Sequence, residues 1–199
     1  FVARAHEATW RDSDGDLPFP GPFPVSGTDT DGRGLVLRRY SVLLEDGHIW
    51  DRVLETHPHP VIGGWIQGSY PYPDTVPHDA KLMVTMGFLA GATGTDGVTF
   101  QVHFISTADI WTHLVSIRMT YDNMLGSQVI DLEDLGLGGL SGRFCLTVLP
   151  GEDAEEDWAV WAQAYVFVDL SGAPGPVLGD LALVSVEPVQ VLYGALLVK

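Results

Sequence analysis

The sequence predicts an all-β protein, an antiparallel β-sandwich with extended N- and C-terminal arms. Three observations predict it. Short runs rich in β-branched and aromatic residues recur between turn clusters. The 23 Gly and 13 Pro punctuate the chain so closely that no long segment keeps a clean helical period. Apolar residues make up 46% of the 199-residue chain, ample for a packed core.

The elements follow in order. Phe1–Trp10 reads as extended, and a proline-rich loop continues from Leu17 to Pro24. Proline fixes φ and removes a donor, so this loop is expected to lie over a surface. Leu35–Leu44 reads as a strand ending at the Asp46-Gly47 turn, and Trp50–Pro60 as irregular chain. Trp65–Tyr70 is a short strand before a second proline-rich loop. In Lys81–Ala90, Leu82, Val84, Met86 and Phe88 share one face by the period-two rule. In Val98–Ile105, Val98, Phe100, Val102 and Phe104 face inward while Thr99, Gln101 and His103 face out. Trp111–Tyr121, Val129–Leu132, Phe144–Leu149 and Trp158–Asp169 complete the series. The expected organisation is an arm and loop over 1–34, a sandwich over 35–169, and a Gly/Pro linker with a strand extension over 170–199.

The 26 acidic and 10 basic side chains leave a formal charge of -16, which repels a polyanion and argues against nucleic-acid binding. No apolar run is long enough to span a membrane as a helix. The chain begins at Phe1 rather than Met, as removal of a secretory leader would leave it, and the expected setting is extracellular. The single cysteine, Cys145, forms no disulfide within the chain and reads as a buried inert thiol. No nucleophile elbow or phosphate-binding loop is present, so an enzyme is not expected.

Gly87-Phe88, Asp96-Gly97-Val98-Thr99-Phe100-Gln101-Val102, Val129-Ile130-Asp131-Leu132 and Asp157-Trp158-Ala159-Val160-Trp161 together resemble the galactose-binding-like jelly rolls. These are the β-sandwiches used as carbohydrate-binding modules in secreted bacterial proteins. The resemblance spans roughly Trp65 to Asp169 and implies a jelly-roll-like sandwich. This chain continues past the closing tryptophan strand and carries a proline-rich arm before the sandwich, so no ligand specificity is carried over.

Two clusters are candidate metal ligands. Alternate carboxylates at Asp12, Asp14 and Asp16 can converge on calcium, although Leu17 stands where the EF-hand pattern continues differently. His57 and His59 project to one side of an extended chain and suit a transition metal. A third pair, His103 and His113, lies on successive strands. There His113 shares a face with Val115, Ile117 and Met119, so a packed histidine is expected rather than a ligand. Trp50, Trp65, Tyr70 and Tyr72 are the candidate sugar-stacking aromatics, because loops surround them.

The last residues carry the leading expectation. Val189, Val191, Leu192, Tyr193, Leu196 and Leu197 make a terminal ribbon apolar on both faces, which expects burial on both faces. Lodging in a neighbour's groove would give a homopolymer, a secreted filament that resembles donor-strand fibres and is pinned by calcium or a transition metal. The alternative is a carbohydrate-binding module or adhesin domain whose partner is a polysaccharide.

Overall fold

The computed structural model describes residues 1–21 and 32–168, together with the backbone of 169, 191–192 and 195–196. Among the described residues the elements are a 3-10 helix at Val2–Glu7 and thirteen strands. These are β1 (Thr9–Asp12), β2 (Gly15–Leu17), β3 (Leu35–Leu43), β4 (Ile49–His57), β5 (Ile66–Thr75), β6 (Ala80–Phe88) and β7 (Val98–Ser106). They continue with β8 (Trp111–Met119), β9 (Gly126–Asp131), β10 (Ser141–Leu149), β11 (Ala159–Asp169), β12 (Val191–Leu192) and β13 (Ala195–Leu196).

The strands form two antiparallel sheets packed as a jelly-roll-like sandwich. The first sheet runs in the order β2-β1-β5-β10-β7-β8. The second is built around β11, which pairs β4 along Ala159–Trp161, β6 along Ala159–Val168 and β13 at Val168–Asp169. Strand β3 lies outside β4, β9 outside β6, and β12 outside β13.

The period-two pattern explains what is buried. Leu82, Val84, Met86 and Phe88 of β6 meet Val98, Phe100, Val102 and Phe104 of β7 in one core. Trp161 stands edge-on to Phe100 with ring centroids 5.0 Å apart, and Phe104 packs against Phe144 at 5.0 Å. The segment before residue 35 joins this core: Trp10 is 1% exposed, and its indole N–H donates to the Ala5 carbonyl at 2.9 Å. A second, smaller core of Leu44, Val53, Leu89, Val160 and Ala162 lies under Trp50 and Leu125.

Several sequence expectations are corrected. Val2–Glu7 is a turn of 3-10 helix rather than extended chain. Ile49–His57 is a nine-residue strand rather than irregular, because Val53 and Val160 need one another as cover for the second core. The expected Gly/Pro linker and most of the strand extension that follows it lie outside the described residues, Val189, Tyr193 and Leu197 among them. The described part of the tail, Val191–Leu192 and Ala195–Leu196, forms a short antiparallel pair on β11 of its own sheet. Exchange of that ribbon into a neighbour is not shown: Val191, Leu192 and Leu196 pair within their own chain.

Candidate functional site

The first sheet turns one face to the core and one to solvent. Cross-strand registers arrange the solvent face in rows. The middle row is Arg11, Gln67, Thr147, Gln101 and Ser116, crossing β1, β5, β10, β7 and β8. Beside it runs Thr9, Ser69, Cys145, His103 and His113, and beyond that Pro71, Arg143, Ile105 and Trp111. At the usual strand spacing the middle row from Gln67 to Ser116 is about 14 Å long.

Amides and hydroxyls line this face and partly satisfy one another. The Gln67 amide donates to Thr147 Oγ1 at 2.9 Å, and the Gln101 amide to Ser116 Oγ at 3.4 Å. Cys145 and Thr147 sit on the outer side of β10, yet they are only 1% and 6% exposed. Burial pushes the Cys145 thiol above its ordinary value, against the opposing pull of its bond to Ser69, and the thiol stays protonated and inert.

Electrostatics set this face apart. In a chain with 26 acidic residues, strands β7, β8 and β10 hold no carboxylate. The cations on the face are Arg11, Arg118 and Arg143, and each is tethered. Arg11 pairs with Asp16 at 3.1 Å, Arg143 with Asp109 at 3.5 Å, and Arg118 donates to the Asp96 carbonyl at 2.8 Å. The centre of the face is neutral and hydrogen-bonding.

An irregularity in the ladder delivers the aromatic part. The β7–β8 register shifts between Val102 and His103, so that Val102 faces Val115 while His103 faces His113. Leu114 is the extra residue, and it reverses the alternation. His113 therefore leaves the side of Val115, Ile117 and Met119, which pack on the core, and joins the outer face. This corrects the expected packed histidine. Trp111, also on this side, is 57% exposed and stands edge-on to His103 with centroids 5.8 Å apart.

The aromatics singled out from the sequence sit elsewhere. Tyr70 is 2% exposed, packed against Phe1 and Trp10, which corrects its expected sugar contact. Tyr72 is half-buried with its ring edge-on to Phe144. Trp50 is half-buried over the second core with its indole N–H on Asp46, and Trp65 is half-buried at the start of β5. Loop flanks do not mark the exposed tryptophan here, since Trp111 lies on a strand. The signal for it is its place directly after the exposed turn at Ala108–Ile110 on a strand whose partner shows polar residues outward.

The carboxylates and histidines expected to bind metal come close to one another but are engaged otherwise. Asp12 is buried and grips the Arg33 guanidinium with both oxygens at 2.7 Å, while accepting the Gly34 and Asp14 N–H groups. Asp16 is turned toward Arg11. His59 is buried, its Nδ1 2.6 Å from Ser13 Oγ and its Nε2 3.9 Å from Asp14. His57 ends β4 and is half-buried. Convergence of Asp12, Asp14 and Asp16 on one ion is corrected accordingly: an arginine already neutralises the innermost carboxylate. Among the described residues no three His, Cys, Asp or Glu side chains group as a metal-holding set.

No family model and no curated protein matches the sequence. Solved structures similar to this chain include carbohydrate-binding modules with a β-sandwich fold. One comprises the CBM51-2 and INT domains of Clostridium perfringens ZmpB, at 17% identity and a TM-score of 0.43, covering 64% of this chain and 27% of that one. A second is TmCBM61 in complex with beta-1,4-galactotriose, at 12% identity and a TM-score of 0.45, covering 84% of this chain and 93% of that one. A third is the xylan-binding module CBM15, at 13% identity and a TM-score of 0.39, covering 79% and 88%. This chain spans about a quarter of the Clostridium perfringens structure.

Proposed function

We propose that this chain is a non-catalytic carbohydrate-binding domain of a secreted or cell-surface protein. Its proposed site is the outer face of the first sheet. One observation carries the reading: strands β7, β8 and β10 of this face hold no carboxylate and, with β5, present a ladder of neutral amides and hydroxyls flanked by an exposed tryptophan, in a chain of charge -16. Neutral sugar hydroxyls need paired donors and acceptors, which Gln67, Gln101 and Ser116 offer at strand spacing. The apolar face of a pyranose needs a flat hydrophobic partner, which Trp111 offers. The site is already assembled on rigid strands, so little ordering cost falls on the protein when a ligand binds.

Affinity electrophoresis through gels containing xylan, galactan, mannan or β-glucan tests the reading. Retardation of the wild-type chain by at least one polysaccharide, lost in W111A and weakened in Q101A, is the expected result. Free migration in every gel, or equal retardation of W111A and wild type, overturns it.

A further inference from the structure

We propose that His103 and His113 form a two-imidazole site for a divalent first-row transition ion, independent of any glycan. The Leu114 bulge brings them face to face across β7 and β8, with His103 Nε2 3.2 Å from His113 Nδ1. Two imidazole nitrogens sharing one tetrahedral ion at ordinary zinc–nitrogen distances lie about 3.3 Å apart. The rings stand 5.0 Å apart at their centroids and 61° between their planes. The same ion geometry puts the centroids ~5.2 Å apart, so both measures match a shared ion without moving the strands.

The surroundings favour ligation. Burial, and then the neighbouring His113, lower the proton affinity of His103, so it stays in the neutral form that a metal requires. The edge of Trp111 packs beside His103 and limits its rotation. The other titratable group in this row is Cys145, whose raised thiol is held protonated by burial. The cations on the face, Arg11, Arg118 and Arg143, are tied to their own partners. His113 is exposed, so water completes the coordination shell.

Loading has a cost that limits affinity. The proton held between the rings must move to an outer nitrogen. His113 Nε2–H can point to solvent, but His103 Nδ1 is buried with no partner among the described residues. The site is therefore weaker than a three-ligand one, and copper should bind more tightly than either nickel or zinc in the usual order of stability.

The test is isothermal titration of the full, untagged chain with zinc sulfate and with nickel chloride at pH 7.5. The variants are H113Q, H103Q and, as a control away from the site, H78Q. One ion per chain is expected, with affinity reduced on the order of 10–100-fold or more in H113Q and H103Q and unchanged in H78Q. A titration of H113Q that overlays wild type, or no saturable binding by wild type, overturns the proposal. Imidazole nitrogen NMR of wild type keeps the test independent of variant folding. Zinc is expected to shift His103 Nε2 and His113 Nδ1, and shifts confined to other histidines overturn the proposal.

Discussion

Asp157 precedes β11 and is fully buried, at 0% exposure. Its Oδ1 accepts the Thr95 hydroxyl, while its Oδ2 has no partner among the described residues. Burial is the main reason its pKa is pushed up to about 7; the Thr95 bond opposes this, and Asp96 and Asp153 add to it. The folded state thus holds this proton more tightly than the unfolded chain does. The resulting stability is fully present below the unfolded pKa of 3.8 and is lost as pH climbs through about 7. Three pKa units correspond to ~4 kcal/mol, and relaxation around the ion brings the expected loss to about 2–4 kcal/mol. In D157N the Thr95 bond survives, and an amide N–H replaces an anion beside Asp96 and Asp153. Urea denaturation followed by tryptophan fluorescence at pH 4.5, 6, 7 and 8 reads the effect. The stability of D157N relative to wild type should rise steadily with pH and reach about 2–4 kcal/mol in favour of the variant at pH 8. A difference that stays constant within ~0.5 kcal/mol across the series would refute the reasoning.

Three further outcomes follow from the packing. At Gly68 an added Cβ would lie 2.6 Å from Trp10 Cζ2 and Cζ3, and the indole is walled in by Tyr70 and Phe19, so G68A should cost about 2–3 kcal/mol by chemical denaturation. Asp12 is held at about 2 against its burial by Arg33 and the Gly34 and Asp14 N–H groups. Its contribution is present above the ordinary carboxylate value and lost as pH falls toward 2. D12N should therefore cost about 2 kcal/mol at pH 7 and almost nothing at pH 2, measured by thermal unfolding. W161A should remove about 3–5 kcal/mol, because Trp161 is fully buried against Phe100, and calorimetry reads the fall in Tm.

The sandwich was legible because its inner strands obey a strict alternation. Val98, Phe100, Val102 and Phe104 are all buried, with Thr99, Gln101 and His103 between them half-exposed as read from the sequence. Strand β4 was not legible. Its Asp51-Arg52 pair looks like a loop, and Val53 and Leu54 are both buried because this strand separates two cores. The candidate site was half legible. Outward residues of one strand can be read from alternation, but which residues share a row depends on register. The bulge at Leu114 moved His113 to the opposite side from the one that simple alternation gives. Nothing in the local sequence announces that extra residue.

The most direct measurement is amide and indole chemical-shift mapping during titration with oligosaccharides of a polysaccharide that retards the chain. The account predicts shifts concentrated on the Trp111 indole, the Gln67 and Gln101 side-chain amides and the backbone around Thr147. Shifts gathered instead on the second sheet or at the Trp50 loop, with the Trp111 indole unmoved, would contradict it.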